Sequence, residues 1–219
     1  MHLQIILTKD GSPTIEVPDM HVTYHSVHGA VQESMHVFIQ TGLHFAKPSK
    51  EKIFRILEMG FGTGLNSLLS WKEAQENNWH IHYTALELFP LNKQEALSLN
   101  YATDPQTGEA FTQMHGADWD QEVMIGSLFT LLKHHTSLQD YPGAEPFHLV
   151  YFDAFAPSAQ PELWTVGIFE KLYRLLHPGG ILVTYCSKGD VRRAMKSAGF
   201  LVEKVPGPPG KREIVRAIK

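Results

Sequence analysis

The chain predicts an α/β fold with a mostly parallel sheet, and three observations carry that expectation. From residue 52 onward, short β-rich runs alternate with runs of helical periodicity. The first β-rich run enters its helix through Glu58-Met59-Gly60-Phe61-Gly62-Thr63-Gly64-Leu65-Asn66, with glycine at every second position of a sharp turn. The last two runs, 200–205 and 213–218, are joined by Pro206-Gly207-Pro208-Pro209-Gly210-Lys211-Arg212 with no helix between, so they predict an antiparallel hairpin at the sheet edge.

Taken in order, residues 3–7, 14–17 and 21–24 read as short strands, with a turn at Lys9-Asp10-Gly11-Ser12. Residues 29–41 read as a helix, because Val31, Met35, Phe38 and Ile39 fall at helical spacing, and Gly42 is expected to stop it. This opening precedes the first strand of the glycine turn. It is therefore expected to be an N-terminal β/α extension, residues 1–50, on a main domain of residues 51–219. Strand 53–58 leads to helix 65–77. Strand 81–87 leads to helix 90–100, with Pro90 in its first turn. Residues 103–108 read as a loop, 111–115 as a short strand and 121–134 as a helix. After a loop at 141–146 come strand 147–152, helix 165–176 stopped by Pro178-Gly179-Gly180, strand 181–185, and helix 190–198 ending at Gly199. Five strands in alternation plus a terminal hairpin give the seven-stranded order of class I methyltransferases, a Rossmann-like mixed sheet.

Composition narrows the function classes. The 219 residues carry ordinary globular proportions, 43% hydrophobic and 19% charged. No apolar run reaches membrane-span length. The N-terminus lacks the basic and cleavage features of a signal peptide. Cys186 is the only cysteine, so no intrachain disulfide can form, which fits a cytoplasmic protein. The 13 histidines lack a recognised metal-ligand pattern, so no metal is expected. Net charge is −4 but uneven: from Lys188 onward there are nine Lys/Arg and three Asp/Glu, a balance of +6 against −10 for the rest. A basic end on an acidic body suits phosphate contact; a solvated helix face and terminal strand is the plainer reading.

In open α/β sheets ligands bind at the carboxyl ends of the strands, where strand order reverses. Gly60, Gly62 and Gly64 permit positive φ and close backbone approach there. Their G-x-G-x-G spacing differs by one residue from the dinucleotide fingerprint and, with Glu58, favours S-adenosylmethionine (SAM) over NAD. Glu87, about twenty residues on, is placed to accept from ribose hydroxyls. Glu58 either meets the positive methionine end of SAM or makes a structural hydrogen bond. Asn66 either caps the helix or contacts the ligand. Asp118 follows the expected third strand; it either accepts from adenine with Trp119 over the ring or caps the next helix.

Asp153 ends a buried strand and opens Asp153-Ala154-Phe155-Ala156-Pro157, with Pro161-Glu162-Leu163-Trp164-Thr165 following. There it can hold an amine and take its proton. Phe155 and Trp164 either stack a planar base or fill the core.

Together these stretches, with Leu86-Glu87-Leu88-Phe89-Pro90, the tail Gly207-Pro208-Pro209-Gly210-Lys211-Arg212-Glu213 and Glu33-Ser34-Met35-His36-Val37-Phe38, resemble one family. It is the methyltransferase that completes the methylaminomethyl group of the wobble uridine in bacterial tRNA. The resemblance covers nearly the whole chain. It implies SAM as methyl donor, the amine of 5-aminomethyl-2-thiouridine as acceptor, and Asp153 as the catalytic or amine-binding group. Some family members are fused to an FAD-dependent oxidase; here no FAD is expected. Family members often carry a basic residue where Met35 stands. On this reading Arg192, Arg193, Lys211 and Arg212 contact the anticodon stem. A spermidine-synthase-like aminopropyltransferase and a non-catalytic SAM- or RNA-binding module are the alternatives. Oligomeric state is not legible.

Overall fold

A computed structural model describes residues 3–143 and 145–219. Its main sheet has eight strands in the order β10-β11-β9-β8-β4-β5-β7-β6. Strands β4 (Phe54–Met59), β5 (Ile81–Glu87), β7 (Phe129–His135), β8 (Phe147–Phe152) and β9 (Leu176–Thr184) run parallel. β10 (Leu201–Pro206) and β11 (Glu213–Ile218) form the expected hairpin, with β11 antiparallel to β9 and β10 at the edge. A short strand, β6 (Glu122–Met124), adds an antiparallel edge on the other side. β4 lies between β5 and β8, so strand order reverses there. In that register Met59 sits beside Phe152, which sets the end of one strand against Asp153 of the other.

The middle of the chain differs from the sequence reading. Residues 105–116, expected as loop and strand, form helix α4 (Pro105–Gly116), and most of 121–134, expected as helix, belongs to β6 and β7. Asp104 caps α4, accepting from the Thr107 N–H at 2.9 Å, and Pro105 takes the first turn. Thr107, Ala110, Phe111 and Met114 then bury one helical face. In β7 the buried positions alternate as Phe129, Leu131 and Lys133, the period of a strand with a lysine in an apolar place.

Three smaller differences concern ends. α3 spans only Lys93–Leu97, started by a reciprocal cap between Asn92 and Glu95. α5 (Val166–Leu175) gives way directly to β9, so Pro178-Gly179-Gly180 lies within a strand and not at a helix stop. Gly42 does not end the N-terminal helix. α1 (Ala30–Ser34) continues as a π-helix over Met35–His44, and Gly42 lies inside it. A Cβ there would stand 3.0 Å from Val183 and 3.4 Å from Leu149 and Tyr151. Gly42 is a close-packing residue that lets the helix lie on the sheet.

That helix buries Val37, Phe38, Ile39 and Leu43 in the same core as Ile56, Tyr83, Tyr151 and Val183 of the sheet. A small antiparallel sheet of β1 (Gln4–Leu7), β2 (Pro13–Val17) and β3 (Val22–Thr23) precedes it. Its side chains reach the core through Ile15, and the chain just after it reaches the cavity through Tyr24 and His25. On the other face, α5 and α6 (Gly189–Ser197) cover a second cluster around Leu57, Val150, Phe152 and Leu182.

Candidate active site

A cavity of about 450 Å³ opens where the strand order reverses. One wall is the glycine turn. The Gly60 and Phe61 N–H groups both donate to the Leu86 carbonyl, at 2.9 and 3.2 Å, and Gly64 N–H donates to Phe61 at 2.8 Å. Gly60, Gly62 and Gly64 have φ of 90°, 49° and 74°. The turn is also crowded from outside. A Cβ on Gly62 would lie 3.1 Å from Tyr24, and one on Gly64 2.8 Å from His115 Nε2. His115 donates from Nε2 to the Thr63 carbonyl at 3.0 Å. Burial pushes its pKa down to about 4, so the ring is neutral. Helix α2 (Leu65–Asn77) starts at Gly64 without a side-chain cap, and its first residues, Leu65 and Asn66, line the cavity.

Glu87 lies on the wall as expected. Its Oε2 accepts from Gly62 N–H at 2.9 Å and its Oε1 from Phe89 N–H at 2.8 Å. Each oxygen keeps a lone pair, so the carboxylate can still take a vicinal diol. Leu88 and Phe89 beside it are 46% and 65% exposed, an apolar shelf at the rim. Ser137, Gln139 and Asp140, which follow β7, complete this side.

Asp153 stands across the cavity. Its N–H donates to the Met59 carbonyl at 3.3 Å, which anchors it at the switch. Its Oδ2 accepts from Asn66 Nδ2 at 2.9 Å, and the same nitrogen donates to Glu58 Oε1 at 3.0 Å. Asn66 therefore bridges two carboxylates from the first turn of α2 and does not cap the helix. Burial raises the Asp153 pKa to about 7, with the Glu33 carboxylate adding to the rise and Asn66 and the Lys211 ammonium opposing it. Glu58 is 1% exposed and lies behind the wall. Burial holds its pKa well above the usual carboxylate range, although Asn66 and Tyr83 favour its charged form. Its Oε2 and Asn66 Oδ1 are buried without a hydrogen-bond partner among the described residues.

Several expected site residues sit elsewhere. Asp118 and Trp119 are not in the cavity wall. The strand they were expected to follow is helix α4, and the third parallel strand ends instead at His135, which puts Ser137 and Asp140 in the place assigned to Asp118. No helix follows Asp118 for it to cap. Trp119 packs edge-on against Phe61 and under the Lys133 ammonium, 4.7 Å from its ring centre. Trp164 is 6% exposed; it donates to the Phe155 carbonyl at 2.8 Å and packs against Phe152 and Phe169. Trp164 thus fixes the loop whose Phe155 does face the cavity, edge-on to Tyr24. Arg212 is exposed, but Lys211 turns inward to an ion pair with Glu33.

Sequence reasoning missed Tyr24, His25, Glu33 and the residues after β7. Tyr24 and His25 come from the extension, where no motif marks them. Those after β7 were hidden by the misplaced third strand. Histidines here serve as hydrogen-bonding groups: His25 pairs with Thr14 at 3.0 Å, and His135 with the Leu88 carbonyl at 3.2 Å. Among the described residues no group of three or more His, Cys, Asp or Glu could hold a metal ion, and no helix is long and apolar enough to cross a membrane.

Comparisons with known proteins extend this picture. A family described as S-adenosyl-L-methionine-dependent methyltransferase matches residues 93–219; the glycine turn and the cavity residues before it lie outside that match. The chain is 31% identical, over 98% of its length, to a protein of Pseudomonas fluorescens named "tRNA 5-methylaminomethyl-2-thiouridine biosynthesis bifunctional protein MnmC". It is 34% identical, over 97% of its length, to the protein of the same name from Chromobacterium violaceum. It spans 34% of the length of each. Among solved structures it is similar to MNMC2 from Aquifex aeolicus, with a TM-score of 0.82 at 24% identity, over 99% of this chain and 70% of that one. It is also similar to spermidine synthase from Thermotoga maritima, with a TM-score of 0.57 at 13% identity, over 99% of this chain and 68% of that one. At these identities both structures show a shared fold alone. The sequence match over residues 93–219, together with a switch-point cavity walled by the glycine turn, Glu87 and Asp153, places this chain in the S-adenosyl-L-methionine-dependent methyltransferase family.

Proposed function

We propose that this chain methylates the amine of 5-aminomethyl-2-thiouridine at the wobble position of tRNA, giving 5-methylaminomethyl-2-thiouridine, and that it does so in the cytoplasm. The observation that carries the reading is Asp153. It is a carboxylate of raised proton affinity, held at the switch point by Asn66 and facing the same cavity as the glycine turn. The similarity to proteins named for 5-methylaminomethyl-2-thiouridine biosynthesis supplies the substrate class.

The residues fit SAM by their chemistry. Glu87 offers free lone pairs to a ribose diol, Leu88 and Phe89 an apolar shelf to a purine, and Asp140 an acceptor to an exocyclic amine. When bound, SAM supplies an electrophilic methyl group on a sulfonium. The protein's task is alignment and proton handling. Asp153 accepts one proton from the substrate ammonium, freeing the nitrogen lone pair, and then holds the amine by a hydrogen bond. With its lone pair free, the amine can take a methyl group; Asp153 then returns its proton to solvent, and the product leaves as a secondary ammonium. Phe155 and Tyr24, edge-on at 5.3 Å, exclude water from that face. The transfer is a displacement that changes no oxidation state, so the step itself calls for no flavin. Arg192, Arg193 and Arg212, with the tail, form the surface that meets the anticodon stem.

The test is incubation of the purified chain with methyl-labelled SAM and tRNA that carries or lacks the aminomethyl group, followed by nucleoside analysis. The expected result is label in 5-methylaminomethyl-2-thiouridine from the aminomethyl tRNA alone. Label in neither tRNA refutes the assignment.

A further inference from the structure

Behind the glycine turn lies a buried cation that the methyl-transfer reading does not use. Lys133 is 2% exposed, beside Ala85 of β5, on the face of β7 that also buries Phe129 and Leu131. Among the described residues its ammonium makes no ion pair. It stands instead over two rings, 4.7 Å from the centre of Trp119 and 5.2 Å from that of Phe61. Phe61 is the one large side chain between Gly60 and Gly64 and lines the cavity. Its N–H donates to the Leu86 carbonyl at 3.2 Å and its carbonyl accepts from Gly64 N–H at 2.8 Å, so the turn follows wherever its ring is held. Trp119 leads to the other part of the donor wall. It packs against His135 with centroids 5.9 Å apart, and His135 Nε2 donates to the Leu88 carbonyl at the rim. One cation thus sits where the supports of the glycine turn and of the rim meet. An apolar side chain would fill that strand position without the desolvation a buried cation suffers.

We propose that Lys133 is a positioning residue of the methyl-donor site: its ammonium, held over the Phe61 and Trp119 rings, braces the glycine turn and the Leu88 rim from behind in the form that binds SAM. The proposal rests on SAM as the ligand of the cavity and on nothing about the acceptor. The attraction of a cation to an aromatic ring is strongest out of water, and it needs the charge. The charge itself can be removed without mutation, because burial pushes the Lys133 pKa down to about 8 against the pull of Asp118. The other groups around it are accounted for. From α4, His115 lies on Phe61 and is kept neutral by burial. Asp120 gives its N–H to the Lys133 carbonyl and its carboxylate to His134, at 2.7 Å each. On β5, Glu87 is held by the Gly62 and Phe89 N–H groups, and on β6, Glu122 pairs with His82. The sign follows. Lys133 is charged below about pH 8 and neutral above it, so the brace is in place near neutrality and is lost as pH rises through that value.

The test is the affinity of the whole chain for S-adenosylhomocysteine, measured by calorimetry from about pH 7 to about pH 9.5. The probe has an amine of its own that titrates alike for every variant, so the readout is the difference between chains. Lys133→Met, which keeps the length and removes the charge, should weaken binding roughly three- to tenfold at neutral pH. Its unfolding midpoint should not fall, since a buried cation has been exchanged for an apolar chain, and that separates bracing of the site from support of the fold. The parent should lose affinity relative to Lys133→Met as pH rises, until the two meet. Lys133→Arg, which stays charged throughout, should bind like the parent near neutrality and outbind it at the alkaline end. Equal affinity of the parent and folded Lys133→Met at neutral pH, or parallel pH profiles for the two, overturns the proposal. If Lys133→Met fails to fold, the parent against Lys133→Arg decides it, and parallel profiles there overturn it as well. A parent chain that binds no S-adenosylhomocysteine at any pH removes the donor-site reading along with the brace, whereas tight binding indifferent to Lys133 removes the brace alone.

Discussion

The two sides of the cavity are held in opposite ways. On the donor side, the glycine turn is tied by backbone bonds to β5, and both Glu87 oxygens are fixed by backbone N–H groups. On the other side, Asp153 is buried and has one side-chain amide partner. A carboxylate whose two oxygens each accept from a backbone N–H is fixed in place, which suits binding. A carboxylate with one amide donor, in a dry place, keeps its affinity for a proton, which suits transfer. On the proposed function, the difference corresponds to recognition at one wall and chemistry at the other.

The largest expected effect separates the walls outright. Asp153→Asn should cut methyl transfer by about 10²–10⁴-fold, the usual worth of a positioned base, while calorimetry still finds SAM binding near normal. Loss of both together would put Asp153 on the donor wall. In the parent chain, the pH profile should show the same division. Asp153 acts when deprotonated and its pKa is raised to about 7, so the rate should fall as pH falls through that value and not at the usual carboxylate pH near 4. SAM affinity should stay flat over that range.

Next comes the turn itself. Gly64 has φ of 74° and its absent Cβ would sit 2.8 Å from His115 Nε2. Gly64→Ala should cost about 1–2 kcal/mol from the left-handed backbone alone, read by denaturant unfolding, and should weaken SAM binding through the displaced turn. Glu87→Gln tests the donor wall without strain. SAM dissociation should rise about tenfold or more, with turnover at saturating SAM little changed. A fall in saturated turnover equal to that of Asp153→Asn would erase the proposed division of labour. The smallest effect belongs to the surface. Arg212→Ala should make the salt dependence of tRNA binding shallower by about 0.7–0.9 in log–log slope, with methyl transfer at saturating tRNA intact. An unchanged slope would remove Arg212 from the tRNA face.

The same contrast explains what the sequence disclosed. The donor wall is local: β4, the glycines and α2 are consecutive, so spacing alone located the turn. Glu87 lay one strand on and was equally legible. The hairpin was legible because seven residues rich in proline and glycine leave no room for a helix. The acceptor wall is non-local. Asp153 could be found because it ends an unmistakable apolar strand, but the Lys211–Glu33 pair, packed on the Tyr185 ring that holds the Ala154 carbonyl, joins opposite ends of the chain, and no period or spacing links them. The stretch 103–135 failed for a different reason. Thr103-Asp104-Pro105 reads as the start of a loop, although aspartate followed by proline also starts a helix. Lys133, 2% exposed and 5.2 Å from the Phe61 ring centre, broke the apolar alternation that would have marked β7. Its burial pushes its pKa down to about 8, which is the cost of placing a cation in a strand core.

The glycine inside the N-terminal helix bears on how such an enzyme can be divided. Gly42 brings the helix against Leu149, Tyr151 and Val183, and the helix carries Glu33 while the chain before it carries Tyr24 and His25. A boundary at residue 50 is clear in the order of motifs, yet the core and the cavity both cross it. Exchange at that point would part Tyr24 and His25 from the rest of the cavity wall and lay open a shared core. The opening segment also meets the tail, through Lys211–Glu33 and His36–Pro206, so the two ends of the chain form one unit in space and would have to be exchanged together.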